Sequence, residues 1–457
     1  MARDHFLHAW DERYHALVAK NMIEHPWRPV LYADPALPYD FRHWTANHVW
    51  LHKPPLALWL MALSMATFGA NEMALRLPNL LHSTLAVALT FAIGRRLLGE
   101  RAALLAATLH ATNGYLLELA GGRTASDHVE SLVVTLVAAG AYLSIEDARR
   151  PRWILAIAVG ALTGLTFLTK SFVALLIPAI WIAASLQASA FALGGAFVRA
   201  GAVLEAGKFA QADPRRSLLP RLLIILFIAI AVVLPWELYV RAAFPHEAAW
   251  EEAYNWRHFI EILEGHRHPP LYYFQRMARA FGELVYIPVV WFLVRVIRGR
   301  LSQGWPLLVW FAIPYVIFSF AATKMPGYVA VAAPAVFLMI GAFIVSLLDL
   351  LPRLASRPAL RVGAIALLVF LLALPLRTGL ERMKLFGDYD RDPVWAQQLR
   401  DLGPRLEGHR YVLFGLKHPI EAMFYTGATA YSHLPSEEDI QLLRERGLEP
   451  LILTPDS

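Results

Sequence analysis

The 457-residue chain has no cysteine, which removes disulfide bridges and thiolate metal sites from consideration. It is also short of charge: Asp, Glu, Lys and Arg make up 17% of it, against about 25% in soluble globular domains. Low-complexity segments and internal repeats are missing too. Apolar residues take up the room, at 57%, in blocks of about twenty, the length that crosses a bilayer as a helix. These properties exclude a soluble enzyme and describe a polytopic membrane protein. The net charge of +6 does not signal nucleic acid, because the basic residues lie in short loops between apolar blocks, where the positive-inside bias puts them.

The apolar blocks are Leu75–Leu98, Ala102–Leu119, His128–Ile145, Trp153–Leu168, Ser171–Leu186, Leu218–Val240, Leu284–Ile297, Leu307–Ala322, Gly327–Leu348 and Val362–Leu376. Lys170 divides the long stretch Trp153–Leu186 into two spans. Pro55–Gly69 is apolar but short and charged on both flanks, the pattern of an interfacial helix. Phe191–Val203, also short and carrying Arg199, is left unspanned. With this count the arginine clusters at 95–101, 149–152, 215–221, 295–300 and 353–361 share one side, which should be cytoplasmic. The opposite face receives Asp11, Glu12, Lys53, Asp127, Lys170 and Lys324, together with the tail. Six charges on the face opposite the arginines mark a candidate site outside the membrane.

The tail reads differently. From Arg377 to Ser457 it is charged, and YVLFGL (Tyr411–Leu416) and EPLILT (Glu449–Thr454) predict short buried strands. Between them SEEDIQLLRERG predicts an amphipathic helix capped by Ser436 and stopped at Gly447. The expected organisation is a membrane domain at 1–376 with about ten spans and a small extracytoplasmic α/β domain at 377–457.

Six motifs in collinear order carry a resemblance: DERYHALVAKNM, WLHKPPLALWL with FGANEMALRLP, GGRTASDHVESL, VLPWELYV, HRHPPLYYF and ATKMPGYVAVAAPA. Together they resemble the polyprenol-phosphate-sugar-dependent glycosyltransferases of the GT-C class, in the branch of the protein O-mannosyltransferases and the aminoarabinose lipid A transferases. The resemblance implies an all-α polytopic GT-C fold with extracytoplasmic juxtamembrane helices. It implies an inverting transfer of sugar from a polyprenyl phosphate to a lipid or protein acceptor.

In such a reaction the enzyme positions an acceptor, removes its proton where it has one, and stabilises the leaving phosphate. By resemblance Asp11 is the general base, or orients the sugar's oxocarbenium-like centre if the acceptor is itself a phosphate. The plain alternative is an N-cap carboxylate starting a helix over Glu12–Glu24. Glu12 is expected to support Asp11, and Asp127 to join the site, although a carboxylate at a helix start is ordinary. Lys53, held before Pro54 and Pro55, presents its ammonium from a rigid turn where a lipid phosphate lies; the alternative is a snorkelling lysine. Lys324 and Tyr328 flank another outer turn and could hold phosphate oxygens, as could Arg276 and Arg279. His52, His266 and His268 fit no closed zinc signature. In related enzymes a carboxylate near the position of His52 can hold a metal; it is absent here, so no metal is expected to be required, with a divalent ion left open.

The family pattern has a membrane span before the aspartate motif, whereas here ten residues precede Asp11. The expectation is a natural start upstream of Met1 and a missing first helix; mass spectrometry of a natural protein beginning at Met1 would overturn it. The leading reading is a transferase acting on lipid A or another envelope glycolipid, in the plasma (inner) membrane if bacterial, with its site facing the periplasm or exterior. Expected partners are the polyprenyl-phosphate sugar, a lipid or protein acceptor and membrane lipid, with no nucleic acid. The rivals are protein O-mannosylation and, from another class, a transporter or flippase of lipid-linked sugars. The transporter reading lacks its usual marks, inverted repeats and charges in mid-membrane.

Overall fold

The computed structural model describes residues 2–124, 128–200, 218–384 and 389–453, with side chains outside 191–200. Two helices open the chain: α1 (Asp11–Asn21) and α2 (Pro55–Phe68). Pro54 and Pro55 start α2, as expected of a residue that has no N–H to leave orphaned in the first turn. The apolar blocks then fold as α3 (Glu72–Leu97), α4 (Glu100–Ala111), α5 (Gly114–Ala120), α6 (Glu130–Arg149), α7 (Trp153–Lys170), α8 (Leu176–Ala200) and α9 (Leu218–Ala243). They continue as α10 (Pro245–Ile260), α11 (Tyr272–Phe281), α12 (Tyr286–Ile297), α13 (Trp305–Phe320), α14 (Ala333–Leu350) and α15 (Pro358–Met383). Among the described residues six helical segments have the length and apolarity to cross a membrane, or seven if α11 and α12, bent by 113°, count as one. The chain is an integral membrane protein.

Two details differ from the sequence pattern. The block Ala102–Leu119 is not one helix: Asn113 breaks it by accepting a hydrogen bond from the N–H of Leu116 and so capping α5. The segment Phe191–Ala200 continues α8, while 201–203 lie outside the described residues. The division at Lys170 is real, made by a 3-10 turn over Ser171–Leu175, with Ser171 at φ +26°.

Small residues set how closely the helices approach. Gly160 and Gly164, four apart on α7, face α9. A Cβ on Gly160 would lie 2.6 Å from the carbonyl oxygen of Ile225, and one on Gly164 would lie 2.6 Å from Val232 Cβ. With lipid outside as apolar as the helices, such close backbone packing is what holds spans together. At the arginine-rich end Arg221 of α9 is salt-bridged to the buried Asp147 of α6, which also accepts from Trp181 Nε1 at 2.9 Å. Arg96 reaches Glu146 at 2.8 Å and Arg101 reaches Asp349 at 2.8 Å at the same end.

The tail forms α16 (Val394–Leu406), β1 (Tyr411–Phe414), α17 (Pro419–Thr426), α18 (Glu437–Glu445) and β2 (Glu449–Ile452). Both predicted strands exist and pair in parallel, with Leu413 opposite Leu451. Ser436 caps α18 in a reciprocal box with Asp439. The tail does not stand apart from the bundle. Ile420, Met423 and Phe424 share one core with Leu17 and Val18 of α1 and Leu58 and Met61 of α2. Lys20 Nζ donates to the carbonyl of Phe424 at 2.5 Å, and Arg13 pairs with Glu421 at 3.3 Å.

Candidate active site

At the end of the bundle opposite Arg96 and Arg221, the start of α1 meets the turn before α2. Trp10 enters the helix at φ +65°, unusual for a bulky side chain. Strain of this kind persists where neighbours over-determine it, and it clusters at functional sites. Trp10, not Asp11, holds the N-cap position, and the helix ends at Asn21 rather than Glu24. Asp11 is therefore the first helical residue, where the helix dipole favours a carboxylate. Lys53 Nζ lies 3.8 Å from Asp11 Oδ2 across the two segments, with its side chain 23% exposed. Two residues from distant motifs thus form one pair.

Glu12 has a different fate. It is wholly buried, receives Arg76 Nε at 2.7 Å and Nη2 at 2.9 Å, and accepts the N–H of His8 at 2.6 Å. Arg76 also donates to the carbonyls of Asp4 (2.5 Å) and Phe6 (2.6 Å), tying down the chain ahead of α1. Burial pushes the Glu12 carboxyl up, but the Arg76 guanidinium and His8 outweigh it and hold it well below the usual range. Gly122, at φ +73°, passes so close that a Cβ there would lie 2.0 Å from Glu12 Oε1. Glu12, expected to support Asp11, ties the start of α1 to Arg76 of α3.

Behind Asp11, one helical turn on, His15 stacks on His128 with ring centroids 5.4 Å apart and Nδ1 atoms 3.2 Å apart. Burial pushes the His15 imidazole well below its ordinary pKa, so it is neutral near pH 7. Trp50 stands edge-on to both His15 and His52, each at 5.7 Å. His52 lies flat against Trp44 at 4.4 Å and meets Glu251 Oε2 of α10 at 3.3 Å.

The other predicted residues fall into two further groups. Lys170 is salt-bridged to the buried Glu130 and lies 4.7 Å from the centre of the Tyr328 ring. Lys324 is buried, donates through Nζ to the carbonyl of Ala321, and has its pKa pushed down by burial. Its backbone N–H bonds the carbonyl of His266 at 3.2 Å, beside His268, which stacks on Tyr272 at 4.0 Å. Arg276 covers the same Tyr272 ring at 5.2 Å. Tyr273 and Tyr115 donate at 3.0 Å to the carbonyls of Met325 and Pro326, fixing that turn. A narrow cleft beside it is lined by Arg276, Arg279, Arg382, Tyr115 and Tyr273. The end of α10 joins the groups, since the N–H of Thr323 bonds the carbonyl of His258 at 2.9 Å.

Lys53 and Asp11 are thus brought together directly, and Lys324, Arg276 and Arg279 gather around the Pro326 turn. Asp127 lies outside the described residues. Among the described residues no three His, Asp or Glu side chains converge as a metal set. Arg76, His15, His128, Glu130 and Glu251 were not singled out by sequence reasoning. All but Glu251 lie inside the motifs, but nothing in one sequence says which buried acid an arginine will find. An apolar groove of about 390 Å³, lined by Met22, Trp27, Trp59 and Leu63, runs between α1 and α2. Trp59 Nε1 bonds the carbonyl of Pro26 at 2.7 Å there, and Trp236 packs on both tryptophans, an aromatic cluster of the kind found at membrane interfaces.

Comparison with known proteins agrees with the motifs. Residues 52–204 match the family described as dolichyl-phosphate-mannose-protein mannosyltransferase. The chain is 29% identical over 308 residues to the undecaprenyl phosphate-alpha-4-amino-4-deoxy-L-arabinose arabinosyl transferase of Edwardsiella ictaluri, covering 64% of this chain and 50% of that one. It is 27% identical over 336 residues to the enzyme of that name from Pseudomonas aeruginosa UCBPP-PA14, covering 70% and 54%. The chain thus spans about half the length of these relatives. In structure it resembles ArnT from Cupriavidus metallidurans solved with undecaprenyl phosphate, with TM-score 0.59 and 14% identity over 98% of this chain and 86% of that one. The oligosaccharyltransferase AglB from Archaeoglobus fulgidus gives TM-score 0.56 and 12% identity over 94% and 61%. The fold is the GT-C fold, and the resemblance carried by the motifs holds in both sequence and structure.

Proposed function

We propose that this protein is an inverting glycosyltransferase that moves a sugar from a polyprenyl phosphate to an envelope acceptor, lipid A or another glycolipid. The observation that carries the reading is the Asp11–Lys53 pair: a carboxylate and an ammonium 3.8 Å apart, held by a strained turn and a double proline. Fold likeness to a chain holding undecaprenyl phosphate and the names of the relatives support the donor class.

The chemistry is a single displacement. The acceptor oxygen forms a bond to the anomeric carbon while that carbon's bond to the phosphate oxygen breaks, and the polyprenyl phosphate leaves with the electron pair. Lys53 neutralises the charge growing on the leaving phosphate, and the arginines and Lys324 around the Pro326 turn are the second candidates for it. If the acceptor is a hydroxyl, Asp11 takes its proton; if it is a phosphate, Asp11 faces the oxocarbenium-like carbon. We assign the site to the periplasmic or outer side, because the arginine clusters gather at the other end of the bundle. Since Lys53 supplies the positive charge, chelation with EDTA is expected to leave the transfer rate unchanged.

Lipid mass spectrometry tests the reading in cells lacking the protein, complemented with wild type or an equally abundant Asp11→Asn variant. A sugar-sized mass on lipid A with wild type alone supports it. Lipid-linked sugar that accumulates with the variant while lipid A is unchanged moves the acceptor to protein, the activity named for the matched family. Equal pools in both strains would refute the assignment of Asp11.

A further inference from the structure

Two neutral imidazoles whose Nδ1 atoms are 3.2 Å apart share one proton on that line: one donates and the other accepts. Glu12 decides which. His128 Nε2 lies 3.8 Å from Glu12 Oε1, and a carboxylate held ionised by Arg76 repels a lone pair and attracts an N–H. His128 therefore carries its proton on Nε2 and accepts at Nδ1. His15 then donates from Nδ1, and its Nε2 is left as a bare lone pair.

That lone pair is fully buried and has no partner among the described residues. A buried acceptor of this kind needs a donor from somewhere. His15 lies one turn from Asp11 on the same helix face, within electrostatic reach of Asp11, Lys53 and His52. Along the same row Glu251 Oε1, also buried, lacks a partner as well. The row behind Lys53 thus holds two unpartnered acceptors, His15 Nε2 and Glu251 Oε1, beside the unpartnered Trp50 Nε1–H donor. A phosphate brings only acceptors; a sugar brings hydroxyl or amino donors.

We propose that His15, fixed in its tautomer by the Glu12–His128 contact, recognises the transferred sugar by accepting a hydrogen bond from one of its hydroxyl or amino groups at Nε2. The proposal rests on the glycosyltransferase reading above and adds a sugar-recognition residue to it. It differs from a packing role because the two ring nitrogens do different work, and amides can separate them. In His15→Asn the side-chain N–H lies near the place of Nδ1, so the bond to His128 survives while the acceptor is lost. In His15→Gln a carbonyl oxygen reaches toward the place of Nε2, while the bond to His128 is lost.

The experiment measures, in detergent, the affinity of wild type and both variants for undecaprenyl-phosphate aminoarabinose and for bare undecaprenyl phosphate, alongside melting temperature and transfer rate. The expected result is that wild type prefers the sugar-bearing lipid and His15→Asn loses about tenfold of that preference. Its binding of the bare lipid and its melting should stay as in wild type, and His15→Gln should regain part of the preference. A His15→Asn protein that keeps the full preference overturns the proposal and leaves the glycosyltransferase reading standing. So does one that loses bare-lipid affinity and thermal stability in step, which is the signature of packing alone. A wild type that neither transfers the sugar nor prefers its lipid overturns both.

Discussion

Asp11 and Glu12 are neighbours of the same chemistry with different partners, Lys53 and Arg76, and the difference is testable. Replacing Arg76 by Met leaves Glu12 as a buried charge without its partner, a change that costs about 3–5 kcal/mol. Thermal unfolding in detergent should record that loss. Asp11→Asn keeps the shape of the side chain and weakens its pair with Lys53, so it should abolish transfer while lowering the melting temperature less than Arg76→Met does. The histidines give a pH signature. Below about 6.5 the unfolded chain takes a proton that buried His15 refuses, so this residue removes stability as pH falls. His8 works the other way: burial lowers it, but Glu12 and Asp4 raise it further. Its contribution is complete below 6.5 and lost as pH rises through its folded value. The depressed carboxyl of Glu12 adds a loss only below about 4.5. Comparing melting at pH 7.5 and 5.5, His15→Asn should lose less stability than wild type. At this scale the sequence marked Asp11 and Lys53 by motif but had no means of separating Glu12 from Asp11, because burial is set by Arg76, 64 positions away.

Helices and strands were the most legible level. Apolar blocks became helices, the Ser436 cap and both tail strands stand where turn chemistry puts them, and Lys170 does end its helix. The break at Thr112–Asn113 was missed because hydropathy runs on through it while one amide side chain stops the helix. Packing between elements was less legible. Gly160 and Gly164 read as ordinary membrane-helix glycines until α9 is laid against them. Gly160→Val would drive a branched side chain into the backbone of Ile225, which cannot move aside as a side-chain tip could. The expected cost is about 1–3 kcal/mol, read as a lower melting temperature and a smaller monodisperse fraction in detergent.

The whole molecule joins its two ends at the candidate site. Because Ile420, Met423 and Phe424 complete the core over α1 and α2, the tail is part of what holds Asp11 in place. Truncation after Lys384 should therefore expose that apolar face and yield aggregated or inactive protein rather than a working membrane domain. A truncated chain that stays monodisperse and transfers sugar would disprove the dependence. What the sequence determined by itself is what local physics sets: membrane residence from runs of apolar residues, helix ends from prolines and caps, and the segregation of arginine clusters from the motif-bearing loops. Only the tertiary structure decided which of those loops touch: that Lys53 reaches Asp11, that Glu12 is spent on Arg76, and that a His pair stands behind the carboxylate. The reason is physical. Hydropathy and capping act over a few residues, whereas an ion pair or a shared proton depends on atoms brought within about 3–4 Å by packing, and one chain alone carries no record of that distance.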